Sequence, residues 1–319
     1  MYHRFDEGEH PSTSVTLAQF EAHLDFLERE GFDVWPLPKL VSHLKNREPL
    51  PDKVVAITID DAYRSVYEHA FPTLRKRGIP FTVFVATDPV DQGLPDYMSW
   101  DQLREMQAAG VTIANHGASH GSLVNVEPGE PVAAWQQGVR EDIMRGQLRL
   151  QEELGDDVNE SPRLFAYPFG EYNLAVMEML DQMGYVAFGQ HSGALGPYDD
   201  LRALPRFPIN ERYGELAGFA LKARTLPFPV LDVSPLDPLV TGDEAPVLTL
   251  TLGESSARLA QLSCYFNGER MDVRWDRKLR RVEISTTRTL PAGRSRYNCT
   301  APHRSPDRWY WYSHLWVRK

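Results

Sequence analysis

The sequence has few cysteines, no long apolar run and no excess of positive charge. Cys264 and Cys299 are its only two cysteines in 319 residues, which excludes a multiply disulfide-stapled scaffold. One pair is compatible with a single bridge in an oxidising compartment or with two buried thiols. No apolar stretch approaches the roughly 18 residues that a membrane-crossing helix requires. The net charge of −10 argues against nucleic acid or an anionic membrane as the main partner. A neutral polymer would not be repelled, and one that becomes cationic would be mildly attracted.

The charge is also uneven. From residue 226 onward there are 14 Lys and Arg against 10 Asp and Glu, whereas the preceding part carries 20 against 34. The pattern of residues changes at nearly the same place. Up to about residue 222, helical periodicities alternate with short apolar strands. Thr16 can cap a helix from Leu17 to about Glu30, with Leu17, Phe20, Leu24 and Leu27 on one face. Further helices are predicted at about 63–77, 99–109, 131–154 and 173–183, and strands at 54–59, 80–87, 111–116, 163–168, 185–189 and 202–207. Strand and helix in alternation imply a mostly parallel α/β sheet, doubly wound or closed as a barrel.

A proline-rich segment, "RTLPFPVLDVSPLDP", then leads into alternating strands at 247–252, 260–266, 271–275, 280–286 and 309–317. That pattern predicts a small antiparallel β domain. The division is therefore 1–222 and 223–319. In "WYWYSHLWV", Trp309, Trp311 and Leu315 alternate with Tyr310, Tyr312, His314 and Trp316. One face must be core, and the other either packs on the first domain or offers a sugar-stacking platform, with packing favoured.

The chemistry concentrates at strand ends. "AITIDD" ends a β-branched run on Asp60 and Asp61, and two buried carboxylates repel unless a cation sits nearby. "NHGASH" places His116 and His120 four residues apart across a bend, so both imidazoles can face one metal. Singly, each has a plain alternative: a helix cap charge for the acids, unrelated loop residues for the histidines. In order, with "YPFG" at 167–170, they resemble the polysaccharide deacetylase family (carbohydrate esterase family four), whose motifs are T-F-D-D, H-S/T-x-x-H and R-x-P-Y/F-G. "MYHRF" and "YPFGEYN" resemble its poly-N-acetylglucosamine deacetylase branch.

This resemblance covers residues 1 to about 215. It implies a distorted (β/α)7-type barrel, followed here by a β-sandwich in which Tyr297, two residues before Cys299, resembles the immunoglobulin pattern, with Cys264 as the disulfide partner. It implies a hydrolase that removes acetyl groups from an acetylated amino-sugar polysaccharide. Asp61, His116 and His120 would hold one divalent metal, zinc first, with cobalt or nickel as alternatives. Asp60 would be the base, the Phe169 amide the oxyanion donor, and Tyr63 a substrate-facing residue. Ala62 replaces the usual Gly.

Ala166 stands where the family has the arginine that holds the base, and Arg206 is the expected substitute. His191, past the strand at 185–189, is the expected general acid. His3 could line the site, while His10, His23, His43 and His69 are expected at the surface. Rival readings are an O-acetyl polysaccharide esterase and a catalytically impaired sugar-binding protein. "MYHRF" follows no charged or apolar leader. A periplasmic or envelope location is favoured if a signal lies upstream, and a cytoplasmic one otherwise.

Overall fold

In the computed structural model, which describes residues 1–242, 244–305 and 307–319, five parallel strands form the main sheet of the first half. They are β1 (Thr58–Asp60), β2 (Thr82–Val85), β3 (Thr112–Asn115), β4 (Arg163–Ala166) and β5 (Tyr185–Phe188), paired in chain order. The register aligns Asp60 with Phe84, Val85 with Asn115, Asn115 with Phe165 and Ala166 with Phe188. The carboxyl ends therefore share one rim, where parallel α/β folds place their sites.

Alternation along these strands divides two cores. Phe84, Ala114, Leu164, Ala166, Val186 and Phe188 face inward, against Leu37, Leu40, Val41 and Leu44 of a covering helix. Ile59, Val83, Val85 and Ile113 pack outward under the surrounding helices. The helix Leu17–Arg29 begins at Thr16 with a reciprocal capping box to Gln19, and Trp100–Ala108 begins the same way from Ser99 and Gln102.

The sheet is a half-barrel whose edges are extended by single bridges and not by further strands. Tyr2 bridges Ile59, and Leu204 bridges Phe188. The expected strand at 202–207 is therefore absent, because Pro205 and Pro208 cannot donate to a ladder. The predicted strand at 54–59 is divided: Val54–Val55 pairs with Asp33–Val34, and only Thr58–Asp60 joins the main sheet.

From residue 226 onward, two largely antiparallel sheets enclose one apolar core. The first contains Ser263–Phe266, Gly293–Pro302 and Trp309–Arg318; the second contains Val230–Ser234, Leu248–Leu252, Arg281–Ser285 and Asp272–Asp276. Cys264 and Cys299 are disulfide-bonded. They lie directly opposite each other on neighbouring strands of one sheet, unlike the immunoglobulin bridge, which joins two sheets.

Strand Trp309–Arg318 is buried on both faces. Tyr310 and Trp316 enter the β-domain core, while Leu315 and Val317 join the cluster of Trp135, Tyr167 and Tyr172 in the N-terminal half. The second face is thus used for packing. Among the described residues, no helix is long and apolar enough to cross a membrane.

Candidate active site

At the rim, Asp60 is fully buried and its carboxylate is gripped by Arg206. Arg206 Nη1 and Nη2 donate to Asp60 Oδ1 and Oδ2 at 2.7 Å each. Arg206 Nε donates to the Gly189 carbonyl and Nη1 also to Thr58 Oγ1. Its guanidinium lies over the rings of Phe84 and Phe188. Ala166 is fully buried on the same inward face. Burial raises the Asp60 carboxyl, but the charges of Arg206 and then His116 outweigh it, and the net shift is downward.

Asp61 follows in a left-handed conformation (φ 75°), and Ala62 shares it (φ 60°). That backbone is the physical reason a Gly suits the second position. The turn brings Asp61 Oδ1 to 3.1 Å from His116 Nε2 and 2.9 Å from His120 Nε2. Burial raises the Asp61 carboxyl, but its hydrogen bonds to His116 and His120 carry it well below the usual range.

The imidazole of His116 is oriented from behind, its Nδ1 lying 2.7 Å from the Ala166 carbonyl. A carbonyl only accepts, so Nδ1 carries a proton; Nε2 donates to Asp61 when the ring is doubly protonated and presents a lone pair when it is neutral. Two acceptors facing each other need a shared proton or a cation between them. Asp61, His116 and His120 offer three ligand atoms within 4.8 Å of one another. That donor set suits a divalent transition metal and leaves further positions open.

The loop carrying both histidines is held by residues that give no sequence signal. Asp142, on helix Val132–Leu154, accepts from the Ala118 and Ser119 amides. Asn115 Oδ1 accepts from the Gly117 amide. Gly146, on the same helix, approaches so closely that an added Cβ would lie 2.8 Å from the Gly117 carbonyl carbon.

Phe169 reaches the site from the third motif. Its ring lies 4.8 Å from that of His120, and its backbone is left-handed (φ 57°). Among the described residues, its amide has no acceptor. Tyr63 lies beneath the Arg4 guanidinium, 3.5 Å from its ring centroid, and against Tyr97. Burial and then the Asp61 charge raise its phenol.

The expected acid, His191, is buried three residues beyond β5, where its carbonyl accepts from the Arg206 amide. It faces Tyr172 and lines a cavity of about 340 Å³ with His314 and Asp199. Burial, followed by the charges of His314, Arg296 and Arg206, lowers its pKa to about 3. His3 lies closer to the acids electrostatically. Burial lowers its pKa, opposed by the charges of Asp61 and Asp60, and its buried Nδ1 has no partner among the described residues. His23 is a correction: it is fully buried, between Tyr2 Oη and the Gly214 carbonyl, with its ring stacked on Phe219.

Comparison with known proteins converges on this rim. The family "Polysaccharide deacetylase" matches residues 47–188. The structure of IcaB from Ammonifex degensii is 30% identical, covering 70% of this chain and 94% of that one, with a TM-score of 0.60. The chain belongs to the polysaccharide deacetylase family. Streptococcus pyogenes PplD, solved with acetate, shares the fold at 21% identity, with a TM-score of 0.59 over 68% of this chain and 93% of that one.

Among curated relatives, a poly-β-1,6-N-acetyl-D-glucosamine N-deacetylase from Escherichia coli K12 is 26% identical. That match covers 61% of this chain and 34% of the relative. Its Staphylococcus aureus (MRSA252) counterpart is 24% identical, over 62% and 68%. The chain spans 61% of the Bacillus subtilis relative YxkH, at 28% identity over 58% of its own length.

Proposed function

We propose that this deacetylase removes N-acetyl groups from a polymer of N-acetylglucosamine with the help of one divalent metal. The observation that carries the reading is the adjacency of two assemblies: an arginine-gripped buried aspartate, and an Asp-His-His cluster whose lone pairs converge. The names of the relatives support the amino-sugar substrate. Asp61, His116 and His120 would hold the metal, zinc first, with cobalt or nickel as alternatives. When bound, it supplies a lowered water pKa and polarisation of the acyl oxygen.

Asp60, ionised and oriented by Arg206, takes the proton of the attacking water. The unclaimed Phe169 amide donates to the acyl oxygen as that atom gains charge. Tyr63 flanks the approach of the sugar. The leaving amine needs a proton from a histidine. The sequence-based assignment is His191; the fields of Asp61 and Asp60 on His3, with its unpartnered Nδ1, favour His3. Residues 1–222 would form the catalytic domain and 223–319 an accessory β-sandwich. The Cys264–Cys299 bridge supports an oxidising compartment, periplasmic or at the envelope.

The test is acetate release from N-acetylglucosamine oligomers and from acetylated xylan, with zinc, cobalt or nickel supplied. Release from the oligomers alone supports the reading, whereas release from xylan alone replaces it with an O-acetyl esterase. In the same assay, loss of the basic pH limb in His3→Ala but not His191→Ala would fix the acid.

A further inference from the structure

Among the charged residues that the β domain brings to the first half of the chain, Arg294 reaches the Phe169 loop. Arg294 lies at the start of the strand Gly293–Pro302, beyond the residues that the family comparison matches. Its Nη1 donates to the Phe169 carbonyl and lies 3.4 Å from Gln190 Oε1. Its Nε lies 3.6 Å from Glu171 Oε1. Glu171 in turn accepts from the Ser122 hydroxyl. One guanidinium thus joins the loop after β3, the loop after β4 and the residue two places beyond β5.

Phe169 needs such support. A bulky aromatic residue at φ 57° is in a sparsely populated conformation that persists only when its surroundings impose it. On one side, Pro168 fixes the chain. On the other, Gly170 has positive φ and is so close to Gln190 that an added Cβ would lie 2.5 Å from its side chain. The ring rests near the metal-ligand candidate His120. The carbonyl is the remaining handle on the backbone of Phe169, and Arg294 holds it.

We infer that Arg294 is a positioning residue of the active site, through which the β domain fixes the Phe169 backbone whose amide stabilises the developing oxyanion. This rests on the deacetylase mechanism proposed above. A carbonyl held at Phe169 fixes the rotation of that residue's own backbone and so the aim of its amide. Preorganised aim is what makes an oxyanion donor effective. The β domain is then part of the catalytic apparatus and not an appended binding module.

The experiment compares wild type with Arg294→Met and Arg294→Lys in the full chain. The expected result for Arg294→Met is a roughly 10- to 100-fold fall in kcat, since complete loss of an oxyanion donor costs about 100- to 1,000-fold. KM, bound metal and melting temperature stay close to wild type. Affinity for a phosphonate mimic of the tetrahedral state falls by the same factor as kcat. Lysine, which can still donate to the carbonyl, recovers part of both losses.

Arg274→Met, at an 82% exposed side chain elsewhere on the β domain, leaves kcat unchanged. Full kcat and phosphonate affinity in Arg294→Met overturn the inference. So does a loss confined to melting temperature. If Arg294→Met fails to fold, wild-type kcat and phosphonate affinity in folded Arg294→Gln, which lacks the guanidinium, also overturn it. A wild-type protein that neither turns over acetylated sugars nor binds the phosphonate would instead defeat the deacetylase reading itself.

Discussion

Arg206 and Asp60, 146 positions apart in the chain, meet as a two-point ion pair buried under the rim, each contact at 2.7 Å. The side-by-side geometry fixes the carboxylate plane as well as its charge. Substituting Arg206 by Met should lower turnover about 10- to 100-fold with little change in metal content. The sign of the pH effect follows from the causes of the Asp60 shift. Burial raises its pKa and Arg206 lowers it, so without the arginine the acidic limb of kcat/KM moves to higher pH. A pH–rate profile with an unmoved acidic limb would refute the tethering role.

Metal removal should separate the two assemblies. His120→Ala should lose stoichiometric metal and nearly all activity, whereas Asp60→Asn should keep the metal and lose roughly two to four orders of magnitude in rate. Metal analysis of the purified variants checks both. One tightly held metal per chain in His120→Ala would show that the ligand assignment is wrong.

Helix Val132–Leu154 offers a paired test of packing. Gly138 has open space around it, so Gly138→Ala should stabilise by about 0.5–1 kcal/mol. Gly146→Ala, the same change two turns on, should destabilise by about 1–3 kcal/mol, because its methyl meets the Gly117 backbone and Asn115. It should also weaken metal binding, since that backbone carries His116 and His120. Denaturant melts and metal titrations of the two variants test the reversal.

His191 and His314 form a buried pair between the two halves of the molecule, each with its pKa lowered to about 3 by burial first. The unfolded chain takes up their protons near pH 6.5. Their contribution is therefore complete above pH 6.5 and shrinks as pH falls from there toward 3, by about 1.4 kcal/mol per pH unit for each histidine. His314→Leu should flatten the fall in stability between pH 7 and pH 5. Thermal melts across that range would show equal slopes if the pair titrates normally.

The bridge between Cys264 and Cys299 closes a separation of 35 residues, which contributes about 3–4 kcal/mol in the chain-entropy model. Denatured, unreduced protein should contain no free thiol, and reduction should lower the melting temperature. Two titratable thiols in the untreated protein would remove the bridge and with it the main support for an oxidising compartment.

The site was legible where chemistry sits at the end of a β-branched run. Asp60, Asp61, His116 and His120 follow apolar strands directly, and Arg206 could be nominated because Ala166 left a carboxylate without its counterion. Residues that act through long-range partners were not legible. His23 falls three after Phe20 and four before Leu27, so its spacing pointed inward while its polarity pointed outward. The contacts that settle it, Tyr2 and Gly214, are 21 and 191 positions away. Asp142 and Arg294 are ordinary surface charges until the fold brings loops against them. The strand expected at 202–207 reduces to a single bridge at Leu204, because Pro205 cannot donate to a ladder.

The strand Trp309–Arg318 serves two interiors, with neighbouring side chains answering to different halves of the molecule. A chain cut near residue 222 would thus uncover the patch that Leu315 and Val317 seal against Trp135, Tyr167 and Tyr172. The N-terminal half expressed by itself would expose an adhesive apolar surface and tend to self-associate. The ten residues of this strand act as a shared wall, and removing them opens two rooms at once.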